Sequence, residues 1–333
     1  MKKHVMVGMA VLACSVSAAW AESSVTIFGF IDASVGKETG SSDTKILDKY
    51  GSRLGVKGER ELGNGLTGSF YLEHRLDPQT GASQGGSDTF WKGGSWVGLG
   101  GAFGKVTLGR WWSQAFLKSQ YASDPFGMGT VDETYGTVGC GPNTGCVGAF
   151  WVNNSVSYEF SASGFSFGAQ VAETPAGGTK RPANFGVSYS QGALYLGLGY
   201  ESGEACCATA GTPNDATWAH GTVNYDFGVV KLFSGLGVGR TNTGNNIAGV
   251  KTKVSNIVVG FTAPVGSGKV IGAFNQFKDD SAVAGNSVVV RSKVSLGYQY
   301  DLDKSTKLYA TVSNDSKAAT SKTGYDLGVM YSF

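Results

Sequence analysis

Proline is scarce in this chain, at seven residues of 333, histidine scarcer at three, and cysteine numbers only five. Acid–base and nucleophilic sites commonly need a histidine beside Ser, Asp or Asn. His4 lies in the first few residues, and neither His74 nor His220 belongs to a hydrolase motif. The run Gly98-Leu99-Gly100-Gly101 is not a phosphate loop, because no helical pattern follows and no GK[ST] is present. A basic excess is lacking too: 27 Lys and Arg stand against 25 Asp and Glu, and Lys2 and Lys3 account for the difference. Nucleic-acid binders carry a basic excess, so that partner class drops out. Beyond residue 16 no apolar run approaches the roughly 18 residues of a membrane-spanning helix. What is abundant is glycine, at 52 residues, with 12% aromatics. That composition suits many extended strands and tight turns, and neither a helical enzyme nor a disordered tail.

At the N-terminus Lys2, Lys3 and His4 precede an apolar run at 5–16, and Ala19-Trp20-Ala21 follows as a small-x-small pattern. This predicts a secretory signal peptide over 1–21, cleaved after Ala21. Its apolar run is too short for a spanning helix. The mature domain is then 22–333.

From Val25 onward the side chains alternate. VTIFGFIDASV puts Val25, Ile27, Gly29, Ile31 and Ala33 on one face and Thr26, Phe28, Phe30, Asp32 and Ser34 on the other; LTGSFYLEHRL separates Leu66, Gly68, Phe70 and Leu72 from Thr67, Ser69, Tyr71, Glu73 and Arg75. Successive strand residues point to opposite faces, so a period of two predicts strands with one apolar and one polar face. Their connections alternate in length. Short ones fall at 61–65, 100–103, 161–164, 190–192, 226–228, 264–268 and 301–305; long polar ones at 36–51, 77–89, 112–150, 175–183, 203–215, 241–249, 279–287 and 315–322. Seven short and eight long connections give sixteen antiparallel strands with both termini on the short-turn side, the pattern of bacterial outer-membrane barrels. In hydrocarbon an open sheet edge leaves unpaired backbone groups at several kcal/mol each, so the sheet must close, and sixteen strands enclose a water-filled lumen. A soluble β-sandwich or propeller is disfavoured, because it would not repeat this alternation.

The last strand, TGYDLGVMYSF, puts Tyr325, Leu327, Val329, Tyr331 and Phe333 on one face. It resembles the C-terminal signal, with Tyr331 and Phe333 at its tip, that outer-membrane barrels present to their insertion machinery, read as an added strand.

With SSVTIFGFIDASV (23–35), SRLGVKGERELGNGLTGSFYLE (52–73), FGKVTLGR (103–110) and the Phe333 ending, the mature chain resembles the Gram-negative general porins, in particular the β-proteobacterial and neisserial type. The resemblance implies an outer-membrane homotrimer of 16-stranded barrels, each with its own pore narrowed by an inward-folded third external loop. It implies passive diffusion of ions and small hydrophilic solutes, with outer-membrane lipid, lipopolysaccharide and the barrel insertion machinery as partners and no cofactor. Two other readings stay open: a substrate-specific channel, and a barrel acting mainly as a surface receptor or adhesin through exposed loops such as 203–215.

The third long segment, 112–150, is the longest, and loops of that size are usually functional or disordered. Its acids are Asp124, Asp132 and Glu133, and DPFG at 124–127 is similar to the acidic turn at the tip of the family's constriction loop. The resemblance implies that these acids face the pore, opposed by a basic cluster on the barrel wall. Leu54 and Val56 should face lipid, which sends Arg53, Lys57 and Glu59 inward; Arg53 matches the family's arginine before Leu-Gly. Glu73 and Arg75 share the inward parity of the third strand, and Arg110 closes the fifth. Lipid-facing Arg or Lys at mid-membrane costs about 2–4 kcal/mol, which favours the lumen. Where relatives often show an arginine pair, this chain has Lys92-Gly93-Gly94, so the basic wall is thinner and the sign of the ion preference stays open. Of Trp91, Trp96, Trp111 and Trp112, most are expected in the interfacial girdle, with Trp96 the lumenal exception. Cys140, Cys146, Cys206 and Cys207 allow three pairings in an oxidising compartment. Cys140 and Cys146 could staple the third loop, whereas a bond between the neighbours Cys206 and Cys207 would be strained. No nearby histidine supports a metal site.

Overall fold

The computed structural model describes residues 24–84, 90–132, 150–174, 180–204, 215–241, 252–281 and 286–333. Long strands dominate them: β1 (Ser24–Lys37), β2 (Arg53–Gly63), β3 (Leu66–Arg75), β4 (Ser95–Gly101), β5 (Gly104–Trp112), β6 (Trp151–Ala162), β7 (Phe165–Ala172), β8 (Ala183–Gln191), β9 (Leu194–Glu204), β10 (Asp215–Asp226), β11 (Lys231–Thr241), β12 (Thr252–Val265), β13 (Gly268–Ser281), β14 (Asn286–Asp301), β15 (Thr306–Asp315) and β16 (Thr323–Ser332). Each pairs antiparallel with its successor, and β1 pairs with β16 from Phe30↔Ser332 to Lys37↔Tyr325. The result is a closed 16-stranded antiparallel barrel. Asn64 and Gly65 form one of its short turns; both have positive φ, a region that asparagine and glycine tolerate best.

The period of two sets the two faces. Along β1, Val25, Ile27, Ile31 and Val35 are exposed while Asp32 and Ser34 are buried. Along β16, Tyr325, Leu327, Val329 and Tyr331 are exposed, with Phe333 just beyond the strand, and Asp326 is buried. An apolar surface around a polar interior inverts the arrangement of a soluble protein and fits a hydrocarbon surround.

The seam needs one extra piece. β2 begins at Arg53, opposite Phe30, and leaves the rest of that β1 edge open. A three-residue strand, Lys45–Leu47, pairs with Ser34 to Gly36 of β1, and Ser52 Oγ accepts the Asp32 N–H at 2.9 Å. Sequence reading placed this patch inside a loop, because three residues show no usable periodicity. On the other edge of β1, Gly29 and Phe333 exchange backbone hydrogen bonds of 3.0 and 3.1 Å.

Candidate functional site

The inner wall is divided by the described part of the third loop, 113–132. Leaving β5, the chain forms one π-helical turn, Phe116–Gln120, and one 3-10 turn, Tyr121–Ser123. These lie against β7 to β11. Ser113 Oγ donates to Glu201 at 2.5 Å, and the Gln114 N–H donates to Asn184 at 2.8 Å. Tyr195 OH donates to the Lys118 carbonyl at 2.9 Å, Trp218 Nε1 to Gln120 at 3.1 Å and Asn224 Nδ2 to the Ala122 carbonyl at 2.7 Å. Further along, the Val131 N–H donates to Asp326 of β16, and Lys293 Nζ to the Val131 carbonyl.

Glycine makes this seating possible. A Cβ on Gly197 would stand 2.0 Å from the Lys118 carbonyl oxygen, and one on Gly186 2.3 Å from that of Gln114. These inward-facing wall positions therefore form a trough that the loop backbone fills. Phe126, 2% exposed, anchors the far end against Ile271 and Ala273 of β13.

Across from the loop lies a cavity of about 720 Å³. The loop contributes Phe116, Tyr121 and Phe126; the wall contributes Phe30, Arg53, Arg75, Trp111, Trp112, Lys269, Gln299 and Lys307; and the first loop contributes Asp48, Lys49 and Tyr50. Arg53 and Arg75 share one buried carboxylate, Glu73: Arg75 Nε donates to it at 2.5 Å, Arg53 Nη1 lies 3.8 Å away and Tyr71 OH donates at 2.6 Å. Gly93 is confined here, since a Cβ would lie 2.2 Å from Glu73 Oε1. The first loop is tied down by Asp32, which accepts from the Lys49 and Tyr50 N–H groups and from Tyr309 OH. Asp48 accepts from the Gly51 and Ser52 N–H groups, and burial still pushes its carboxyl up to about 6.

The sequence candidates divide accordingly. Arg53 and Arg75 line the cavity. Arg110 stands outside it and braces the chain after β3, donating from Nε to the Lys92 and Gly93 carbonyls and bonding to Asn153. Lys92 is half-buried there, and desolvation, then Arg110 and Arg75, lower its pKa. Lys57 is exposed above the Phe28 ring. Glu73 is buried between the two arginines as a counter-ion.

Asp124 does not face the pore. It is 6% exposed, and its carboxylate accepts the Phe126 and Met128 N–H groups at 2.8 Å each. The turn holds Gly127, Met128 and Thr130 at positive φ, and those two bonds brace it. Burial, then Asp132, push the Asp124 carboxyl up to about 7. Asp132 is fully buried rather than pore-facing. Glu133, Cys140, Cys146, Cys206 and Cys207 lie outside the described residues.

Two of the tryptophans also depart from expectation. Trp111 and Trp112 join Trp96 on the inner side rather than in the girdle: Trp96 stacks on Tyr71 at 5.8 Å and packs on Trp111 at 5.5 Å, and Trp111 and Trp112 line the cavity. The register slips opposite Gly109–Trp111 with the extra residue in β6, between Val152 and Ser155, where Asn154 has positive φ; Trp111 simply keeps the inward parity of the buried Thr107. Trp91 stays exposed against Phe90. Sequence reasoning missed Lys269 and Lys307 because both adjoin short turns. The signal was parity: Lys307 alternates in step with Tyr309, Thr311 and Ser313, all buried.

The chain matches the family model described as Gram-negative porin over residues 8–320. It is 30% identical over 375 residues to outer membrane porin protein 32 of Delftia acidovorans, with all of both chains covered. It is also 30% identical to an outer membrane porin protein of Bordetella pertussis, with 92% of this chain and 93% of that one covered. Among solved structures, the anion-selective porin from Comamonas acidovorans superposes with a TM-score of 0.70 at 24% identity, over 94% of this chain and all of that one.

Proposed function

The chain belongs to the Gram-negative porin family, and from that premise we propose that the cavity between the third loop and the β1–β5 wall is the eyelet of its diffusion pore. The protein is an outer-membrane porin, and its barrel serves passive diffusion. The observation that carries the eyelet reading is that Phe116, Tyr121 and Phe126 of the loop face Arg53 and Arg75 across one 720 Å³ space. Five cations line that space, Lys49, Arg53, Arg75, Lys269 and Lys307. Asp48 is the one acid among the lining residues; Glu73 sits behind the two arginines and Glu38 pairs with Lys49. Cations therefore predominate on the lining itself. A low-dielectric wall focuses such a field on passing ions, so the pore prefers anions.

Three further features complete the reading: cleavage after Ala21, recognition of the Phe333-ended strand by the insertion machinery, and assembly as a trimer in outer-membrane lipid and lipopolysaccharide. The pore performs no chemistry. His220 is buried, and among the described residues neither of its ring nitrogens has a hydrogen-bond partner that would make it a general base.

Single-channel recording in a planar bilayer under a salt gradient tests the eyelet. Triplet conductance steps with an anion-directed reversal potential are expected, and Arg53→Ala and Arg75→Ala should each move that potential toward cations. A closed bilayer, or a potential unmoved by both substitutions, would sink the assignment.

A further inference from the structure

An unbroken chain of rings crosses the inner wall into the third loop. Phe28 meets Tyr71 at 5.1 Å, and Tyr71 meets Trp96 at 5.8 Å with the planes 5° apart. Trp111 continues from Trp96 at 5.5 Å and reaches Trp151 at 6.3 Å; Trp112 lies 3.9 Å from Trp151 and 5.4 Å from Phe116. Cations stand over these rings at intervals. Lys57 lies 5.3 Å from Phe28, Lys105 4.2 Å from Trp96, and Arg110 and Arg75 lie 5.1 and 5.7 Å from Trp151. Arg53 stands 4.3 Å over Phe30, its cross-strand partner on β1, which also lines the cavity.

A pore that merely prefers chloride needs the cations and no rings. Large apolar faces in a water-filled lumen leave apolar surface exposed to water, and here they concentrate where the guanidinium groups are. A neutral sugar would use the ring faces but not the net positive charge. The solute that uses both is a planar ring bearing a carboxylate: its ring packs against the indole edges that the aromatic cluster leaves toward the cavity, and its carboxylate takes the donor hydrogens that Arg53 keeps beyond its bonds to the Gly51 and Tyr50 carbonyls. The cavity volume lies inside the range of about 300–1,000 Å³ typical of small-molecule sites.

The geometry points to a solute subsite for monocyclic aromatic carboxylates in the eyelet, with Trp111 and Trp112 holding the ring and Arg53 and Arg75 the carboxylate. This deepens the pore reading and rests on it for the place of the subsite along the permeation path. Bound solute would dwell there and interrupt the ion current. Dwell must be short for net passage, which calls for weak, millimolar-class binding.

The test compares benzoate with cyclohexanecarboxylate, which matches it in charge and closely in size but lacks the π face. Benzoate added to a conducting trimer in potassium chloride should cause brief current interruptions at about a fivefold lower concentration than cyclohexanecarboxylate, and Trp112→Leu should erase the difference between the two. Isothermal titration of wild-type protein in detergent with the same pair provides a readout independent of conduction and of any variant that fails to fold. Equal potency of the two acids in both measurements overturns the subsite, because charge and size alone then explain the block. A protein silent in potassium chloride that still binds benzoate preferentially in detergent keeps the subsite and overturns the diffusion reading.

Discussion

The two halves of the inner wall solve opposite problems. From β7 to β11 the lumenal face is glycine and mostly neutral polar side chains, with Glu201 receiving Ser113, and the third loop covers it backbone to wall. From β1 to β5 it is arginine and aromatic rings facing the open cavity, with Lys269 of β13 and Lys307 of β15 completing the lining. Small side chains let a loop approach; large charged ones hold space open and set its field. In the proposed eyelet, one half narrows the space by accepting the loop and the other sets its field.

The sharpest way to break this comparison is at Glu73. Removing one partner of a buried ion pair typically costs about 3–5 kcal/mol, and Glu73 serves two arginines. Glu73→Gln should lower the urea midpoint of unfolding by that order and drive the reversal potential further toward anions; an unchanged potential would mean that the arginines do not control the field. Gly197→Val attacks the other half. With a Cβ forced to 2.0 Å from the Lys118 carbonyl, the loop must lift, at about 1–3 kcal/mol for overpacking. Faster amide exchange across 114–123 than in wild type is expected, and unchanged protection would show that the trough does not hold the loop.

A smaller effect should follow pH. Burial, then the neighbouring Asp132, hold the Asp124 carboxyl above its ordinary 3.8. A raised carboxylate pKa means that the seated loop holds its proton where the free chain has lost it. Its seating is therefore strongest at acid pH and weakens as pH rises from about 4 through the raised value. Amide exchange at Phe126 and Met128 should quicken between pH 5 and pH 8 after correction for the intrinsic rate, and Asp124→Asn should flatten that trend. Least affected should be Lys57→Gln, because Lys57 is exposed and outside the cavity lining. A reversal-potential shift as large as that of Arg53→Ala would move the eyelet toward the short turns.

Strand number, strand faces and the bounds of the third loop were legible because they follow from local alternation and turn length. Charge placement was legible where alternation is unbroken, as for Arg53, Glu73 and Arg75. The same parity was available for Trp111, which alternates in step with the buried Thr107, whereas Trp112 joins it in the cavity lining only at the strand's end, beside the register slip in β6. Asp124 was misjudged by treating acidity as a sign of exposure to the pore. In Asp-Pro-Phe-Gly, aspartate at the head of a proline-glycine turn binds its own backbone amides, and that signal was present in the sequence. What no local pattern could supply is the trough, since Gly186 and Gly197 become neighbours of Gln114 and Lys118 only after the barrel has curved.

That seating has a consequence for the order of assembly. The third loop emerges after five strands, yet its partners lie as far ahead as Tyr195, 77 residues from Lys118, and Asp326, 195 residues from Val131. Contacts so distant in sequence form slowly. A partly paired barrel therefore offers the loop nowhere to dock, and a full-width opening precedes the narrowed one. The sieve is then the last thing the molecule acquires, so a refolding preparation should pass through a wide, unselective phase before the narrowed conductance appears.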